Sequence, residues 1–230
     1  MPAFLATQAP IFTLYGDGTI VFRNPAAASP PAVGNVQPFG PFRTAKLTEE
    51  QIQGLLEMAL GEGGLGVARP NYTNNSVADA STAVFTVNAG GLKKTVSIYA
   101  LGIEAPGVQD APARAAFQRL AERLGNFDDN GAFATQVYAP ERYRGILMEG
   151  FAGDPGAKAW PWNDTQPSDF AMPADPNAFQ MATRVLTVAQ VEALGIRPYE
   201  GGFQGLTVSG PGDGKLYSLS LRPLLPDDTN

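Results

Sequence analysis

The segment Trp160-Pro161-Trp162-Asn163-Asp164 brings together the side chains best suited to contact a ligand. Two indoles offer flat apolar faces, while the Asn163 amide and the Asp164 carboxylate offer directional hydrogen bonds. That combination suits a sugar ring or an extended peptide. The surrounding stretch, residues 152–176, is polar and proline-rich, and reads as a long loop outside the regular apolar pattern. Loops of this length are uncommon unless they function. Trp160, Trp162 and Asp164, with Tyr138 and Tyr143 as neighbours, are therefore the candidate ligand-binding residues. The opposing expectation is that the two tryptophans fill core space, where indoles are found on average.

Two other motifs carry less. Gly210-Pro211-Gly212-Asp213-Gly214-Lys215 resembles a phosphate loop, but such a loop needs glycine where Ser209 stands and a hydroxyl residue where Leu216 stands. Strand-like sequence on both sides makes it a hairpin turn. Asp128-Asp129-Asn130-Gly131 offers oxygen ligands, yet an EF-type calcium loop would close on a glutamate where the chain has Ala139.

The chain has no histidine and no cysteine. A Ser-His-Asp or Cys-His mechanism therefore lacks its base, and zinc loses its two commonest ligands. No thiol-held iron–sulfur or haem site can be built. Serines show neither G-x-S-x-G nor S-x-x-K. What remains is carboxylate-pair, Ser-Lys, Schiff-base lysine, tyrosine or oxygen-ligated metal chemistry. No catalytic residue, cofactor or metal site is expected.

These residues must be positioned by a 230-residue chain of net charge −6, long enough for one large domain or two small ones. The 16 basic residues are scattered, with only Lys93 and Lys94 adjacent, so no nucleic-acid interface is expected. No run of apolar residues reaches membrane-spanning length. Met1-Pro2-Ala3-Phe4-Leu5-Ala6 lacks the basic start and apolar core of a signal peptide, which leaves a cytosolic protein or a secreted one shown without its leader.

β-Branched and aromatic runs around Gly16-Asp17-Gly18 predict a first hairpin. Thr48-Glu49-Glu50-Gln51 matches a capping box, followed by Ile52, Leu55, Leu56, Ala59 and Leu60 at helical spacing. A second hairpin spans 82–101. Pro112 opens another helix, with Phe117, Leu120, Ala121 and Leu124 as its stripe and Gly125 as its stop. In the second half, strands are expected at 135–138 and 143–151. Arg184-Val185-Leu186 then leads into a second box, Thr187-Val188-Ala189-Gln190, and a hairpin over 204–222 follows. The expected class is α+β, antiparallel sheets with helices packed on them and two weakly related βαββ units. Residues 1–130 and 131–230 form the two halves, which can also make one compact domain.

Phe12-Thr13-Leu14-Tyr15-Gly16-Asp17-Gly18-Thr19, Arg43-Thr44-Ala45-Lys46-Leu47-Thr48, Val96-Ser97-Ile98-Tyr99-Ala100-Leu101-Gly102, Val185-Leu186-Thr187 and Leu221-Arg222-Pro223-Leu224-Leu225-Pro226-Asp227 resemble a group of extracytoplasmic, lipoprotein-like proteins of actinobacteria and related bacteria. The likeness is spread over nearly the whole chain in order. Two departures stand out: members carry a cysteine shortly before the Val-Leu-Thr, where this chain has Met181-Ala182-Thr183-Arg184, and they begin with a lipobox leader. The resemblance implies secretion or lipid anchoring and brings no activity with it.

The expected function is thus a non-catalytic binding or scaffolding module at the cell envelope, meeting a glycan, a peptide or another envelope protein. A carboxylate-dependent glycan hydrolase is the alternative. A protease inhibitor or regulatory domain, using 152–176 as its protruding loop, is a weaker one.

Overall fold

At both predicted capping boxes the threonine hydroxyl accepts the glutamine backbone N–H at 3.3 Å, and the glutamine side chain accepts the threonine N–H at 2.9 Å or 3.0 Å. Two amides with no partner inside the helix are satisfied at each start. In the computed structural model these positions begin the first and third helices. The described residues are 7–24, 29–103, 108–150, 156–173, 181–212 and 214–228.

In chain order the elements are β1 (Phe12–Leu14), β2 (Thr19–Phe22), β3 (Gln37–Pro38), β4 (Arg43–Lys46), α1 (Glu49–Leu60), β5 (Asn71–Tyr72), β6 (Thr82–Ala89), β7 (Leu92–Tyr99), α2 (Ala111–Gly125), β8 (Gln136–Val137), β9 (Arg142–Glu149), β10 (Lys158–Ala159), β11 (Ala182–Thr187), α3 (Val188–Glu192), β12 (Phe203–Ser209) and β13 (Leu216–Pro223). A 3-10 turn lies at Pro167–Asp169. The class is α+β with antiparallel sheets, in which, among the described residues, two short pairings, β10 with β12 and β5 with β7, are parallel. No helix among the described residues is long and apolar enough to cross a membrane. The expected start at Met1–Ala6, Phe151 at the end of a predicted strand, Asp213 in the last turn, and 152–155 and 174–176 of the tryptophan segment lie outside the described residues.

The chain divides into two units, one of Met1–Thr13, Val21–Ala45 and Ala134–Asn230, the other of Leu14–Ile20 and Lys46–Phe133. Residues 1–13 and 21–45 therefore group with the C-terminal half and not with the helix that follows them. The order strand, capped helix, hairpin occurs twice, as expected, but the pairing differs. β11 and the β12–β13 hairpin share one sheet of order β10-β12-β13-β9-β11, with β3 also on β12. In the earlier case β6 and β7 form a sheet with β5, whereas β4 belongs to the order β1-β2-β4-β8.

In the second unit Val96 and Ile98 of β7 meet Phe117 and Leu120 of α2, with Tyr72 edge-on to Phe117 at 5.0 Å. α1 supplies half-buried Met58, Ala59 and Leu60 and no fully buried residue. Full burial of a large apolar side chain contributes about 1.5–3 kcal/mol, so α2 anchors this core more than α1 does. Arg114, unremarkable in sequence, is wholly buried and donates from Nη2 to the carbonyls of Tyr99 and Ala100 at 2.8 Å and 2.7 Å, holding the end of β7.

In the first unit the core lies on one face of the large sheet, where Leu219 and Leu221 of β13 stand opposite Leu147 and Gly145 of β9. Gly145 leaves the space for its neighbours: a Cβ there would come within 2.8 Å of the Leu186 side chain and 3.1 Å of the Phe170 ring. α3 adds Val191, fully buried, to the same cluster.

Candidate functional site

The tryptophan segment does not stand apart from the core. Trp162 is 5% exposed and Phe170 equally buried, and both belong to the main cluster of the first unit, with Trp160 half-buried against it. The indoles meet edge to face, 5.2 Å apart at 88°, and Trp160 also stands edge-on to Phe170 and Tyr217. Each indole N–H is already used: Trp160 donates to the Thr165 carbonyl at 2.6 Å and Trp162 to the Gln190 carbonyl at 2.9 Å. Gln190, the glutamine of the second capping box, also donates from its amide to the Thr165 hydroxyl at 3.1 Å. The expectation that polarity and proline keep this stretch out of the core is therefore corrected. The polar atoms of the rings found backbone carbonyls, which removes the cost of burying them.

Of the remaining predicted residues, Tyr143 alone joins that cluster. Asp164 is exposed and accepts from the Thr165 hydroxyl at 3.2 Å. Tyr143 is buried in the same cluster as the indoles, edge-on to Tyr199 at 5.9 Å. Burial pushes its phenol up, with Tyr199 and Glu200 adding to the shift. Tyr138 donates to the Leu224 carbonyl at 3.0 Å. Burial and then the charges of Glu141, Asp228 and Asp227 push its phenol up too. Both tyrosines stay protonated at neutral pH, and neither is placed to act as a base. The tryptophans and Tyr143 are thus brought together as packing, while Tyr138 and Asp164 are not part of that packing.

Three arginines of this unit lie near one another. Arg222 and Arg144 face each other in register across β13 and β9. Arg222 is buried and donates to both Asp228 oxygens at 2.6 Å and 2.5 Å, while Asp228 also accepts the Leu225 N–H at 2.8 Å. Arg23 stacks over Phe42 at 3.9 Å and donates to the Gly201 carbonyl at 2.7 Å. Burial, then the Arg222 charge, pushes Arg23 down to about 10. The Arg222–Asp228 pair closes the C-terminal turn.

A cavity of about 550 Å³ lies elsewhere in the same unit. It forms where β12 changes partners along one edge. Phe203 and Gln204 pair with antiparallel β3, and Val208 and Ser209 with parallel β10. Among the described residues Gly205, Leu206 and Thr207 have no strand partner on that edge, and they line the cavity. The β12–β13 register shifts between Phe203 and Leu206, a bulge of the kind that re-aims side chains beside functional sites. Gly205 permits it at φ +86, and a Cβ there would collide with the Asn35 carbonyl oxygen of the facing turn. That turn is closed by reciprocal Val33 and Val36 hydrogen bonds at 2.9 Å and 3.1 Å.

The aliphatic lining comes from Val33, Val36, Ile196 and Leu206, and the charged lining from Lys158 and Arg197. Lys158 donates to the carbonyls of Leu194 and Gly195, at 3.2 Å and 3.4 Å, just past the end of α3. A cation there also meets the negative end of the helix. Arg197 stacks on Tyr199 at 4.5 Å and sits 3.8 Å from Glu192. No aspartate or glutamate among the described residues lines the cavity. Among the described residues no three carboxylates cluster as a metal site. Sequence reasoning missed this cavity: glycine, valine and leucine carry no chemical signature. Compared with known protein families, curated proteins and solved structures, the chain matches none.

Proposed function

We propose that this chain is a non-catalytic binding module that works outside the cytoplasm, at the cell envelope, and takes its ligand in the cavity beside β12. The carrying observation is the lining itself: an aliphatic floor with two cations and, among the described residues, no carboxylate. Its volume is within the range of small-ligand sites. A glycan hydrolase of the usual kind needs two carboxylates flanking the scissile bond, and none is among the described lining residues. The extracytoplasmic assignment rests on the resemblance to envelope lipoproteins. In this reading Trp162 and Tyr143 hold the fold.

Amide NMR with a panel of small acids, neutral sugars and amines tests the site. Saturable shifts centred on Gly34, Ile196 and Leu206, with the added compound recovered unchanged, are expected. Shifts confined to other regions, or conversion of a compound, would overturn the reading. Fractionation of the source cells checks the location, and recovery in the cytoplasmic fraction alone would contradict it.

A further inference from the structure

We infer that the cavity recognises a carboxylate carried on a small aliphatic body, such as the C-terminal residue of a peptide or a free branched-chain acid. This rests on the reading of the cavity as the binding site and specifies what enters it.

The argument starts from charge. Lys158 and Arg197 both line the cavity, and among the described residues no acidic side chain lines it with them. The two hydrogen bonds of the Lys158 ammonium go to neutral carbonyl oxygens. An ammonium has three donors, so one remains for a ligand, and its charge has no carboxylate partner among the described residues. Its stem is also held in place by those carbonyls, which lowers the ordering cost of using it in binding. Arg197 is the weaker of the two, because Glu192 lies 3.8 Å from its guanidinium at the margin of the site. Its stacking on Tyr199 fixes the plane of the group. Planar guanidinium groups favour carboxylates, to which they can donate two parallel hydrogen bonds.

The apolar lining sets the other half of the ligand. Val33, Val36, Ile196 and Leu206 are aliphatic, and among the described residues no aromatic ring lines the cavity on which a sugar could stack. A branched apolar body of a few carbons matches this floor, and each buried methylene contributes about 0.8 kcal/mol. Gly205 lets the bulge place Leu206 and Thr207 at the floor, so the shape depends on backbone geometry that a side chain at this position would disrupt.

The probes are acetyl-Ala-Leu with a free carboxylate, the same dipeptide as its C-terminal amide, and isovalerate. Binding is read by amide NMR and calorimetry on the intact chain. The acid is expected to bind saturably with shifts at Gly34, Ile196 and Leu206, and the amide at least about tenfold more weakly, the scale of one charge-assisted hydrogen bond. Lys158→Gln should weaken acid binding by about tenfold, and Arg197→Gln by less. Glu192→Gln should tighten it, since it removes the charge competing for Arg197. Dipeptide tighter than isovalerate identifies a peptide end as the source, and equal binding identifies the free acid; either supports the carboxylate assignment. Equal affinity for acid and amide would overturn that assignment while leaving the cavity as a binding site. No saturable shift at the cavity with any of the three probes would overturn both. Should Lys158→Gln disturb α3, the acid–amide comparison on the unaltered chain still decides.

Discussion

Trp160 and Trp162 direct both indole N–H groups to backbone carbonyls, whereas Lys158, two positions before the first of them, lines a cavity with a donor left over. The two regions are neighbours in sequence and belong to one unit. They differ in how far their hydrogen bonding is complete. An indole whose only donor is satisfied inside the protein has no directional contact to offer a ligand, and breaking that bond to make one would gain little. The ammonium keeps both a donor and its charge. A search for binding residues by side-chain type ranks the tryptophans first. Accounting for partners favours the lysine and the glycine-rich edge beside it.

That contrast can be broken at its strongest point by Trp162→Ala. Emptying this aromatic site should cost about 3–5 kcal/mol in denaturant unfolding. Trp160→Ala, at a half-buried ring, should cost roughly 1–3 kcal/mol. Similar small losses for both would remove the structural role assigned to the segment. Gln190→Ala should come next, at about 1–3 kcal/mol, because it breaks both the capping box and the bond to buried Thr165. Gln51→Ala breaks a capping box alone and should cost less than about 1 kcal/mol. Equal values would mean that Gln190 does not tie the tryptophan segment to α3.

The smallest effect is expected at an exposed pair in the other unit. The Lys46 ammonium, 2.7 Å from Asp17, with further bonds from Thr19, holds the Asp17 carboxyl at about 2 against an ordinary 3.8. Between those values the unfolded chain binds more protons than the folded one. The stabilisation is therefore present above the ordinary value and lost as pH falls through about 2. Asp17→Asn should flatten that part of the acid-unfolding profile slightly, and an unchanged profile would show the pair to be worth nothing.

The sequence made the local features of the fold legible. Threonine and glutamine three apart mark the starts of α1 and α3, because the box is satisfied by residues within one turn. The Asp17-Gly18 turn and the alternation in β6 and β7 mark hairpins for the same reason. The grouping of 1–13 and 21–45 with the C-terminal half was not legible, since pairing between distant strands leaves no mark on a local pattern. Arg114 escaped notice because its partners are main-chain carbonyls of residues 99 and 100. The average burial of indoles pointed to the tryptophans as core fillers, whereas the argument from proline and polarity set their segment outside the core. It counted residue types and had no means of counting carbonyls within reach. The cavity depends on a bulge and on where β3 ends and β10 begins, which are properties of register.

The most direct measurement follows the two indole N–H signals and the amides of Gly34, Ile196 and Leu206 in one NMR titration with acetyl-Ala-Leu. The expected result is a single saturable isotherm at the three cavity amides while both indole signals stay in place. Indole signals that move along a saturable isotherm while the cavity amides remain still would contradict the account and return the ligand site to the tryptophan segment.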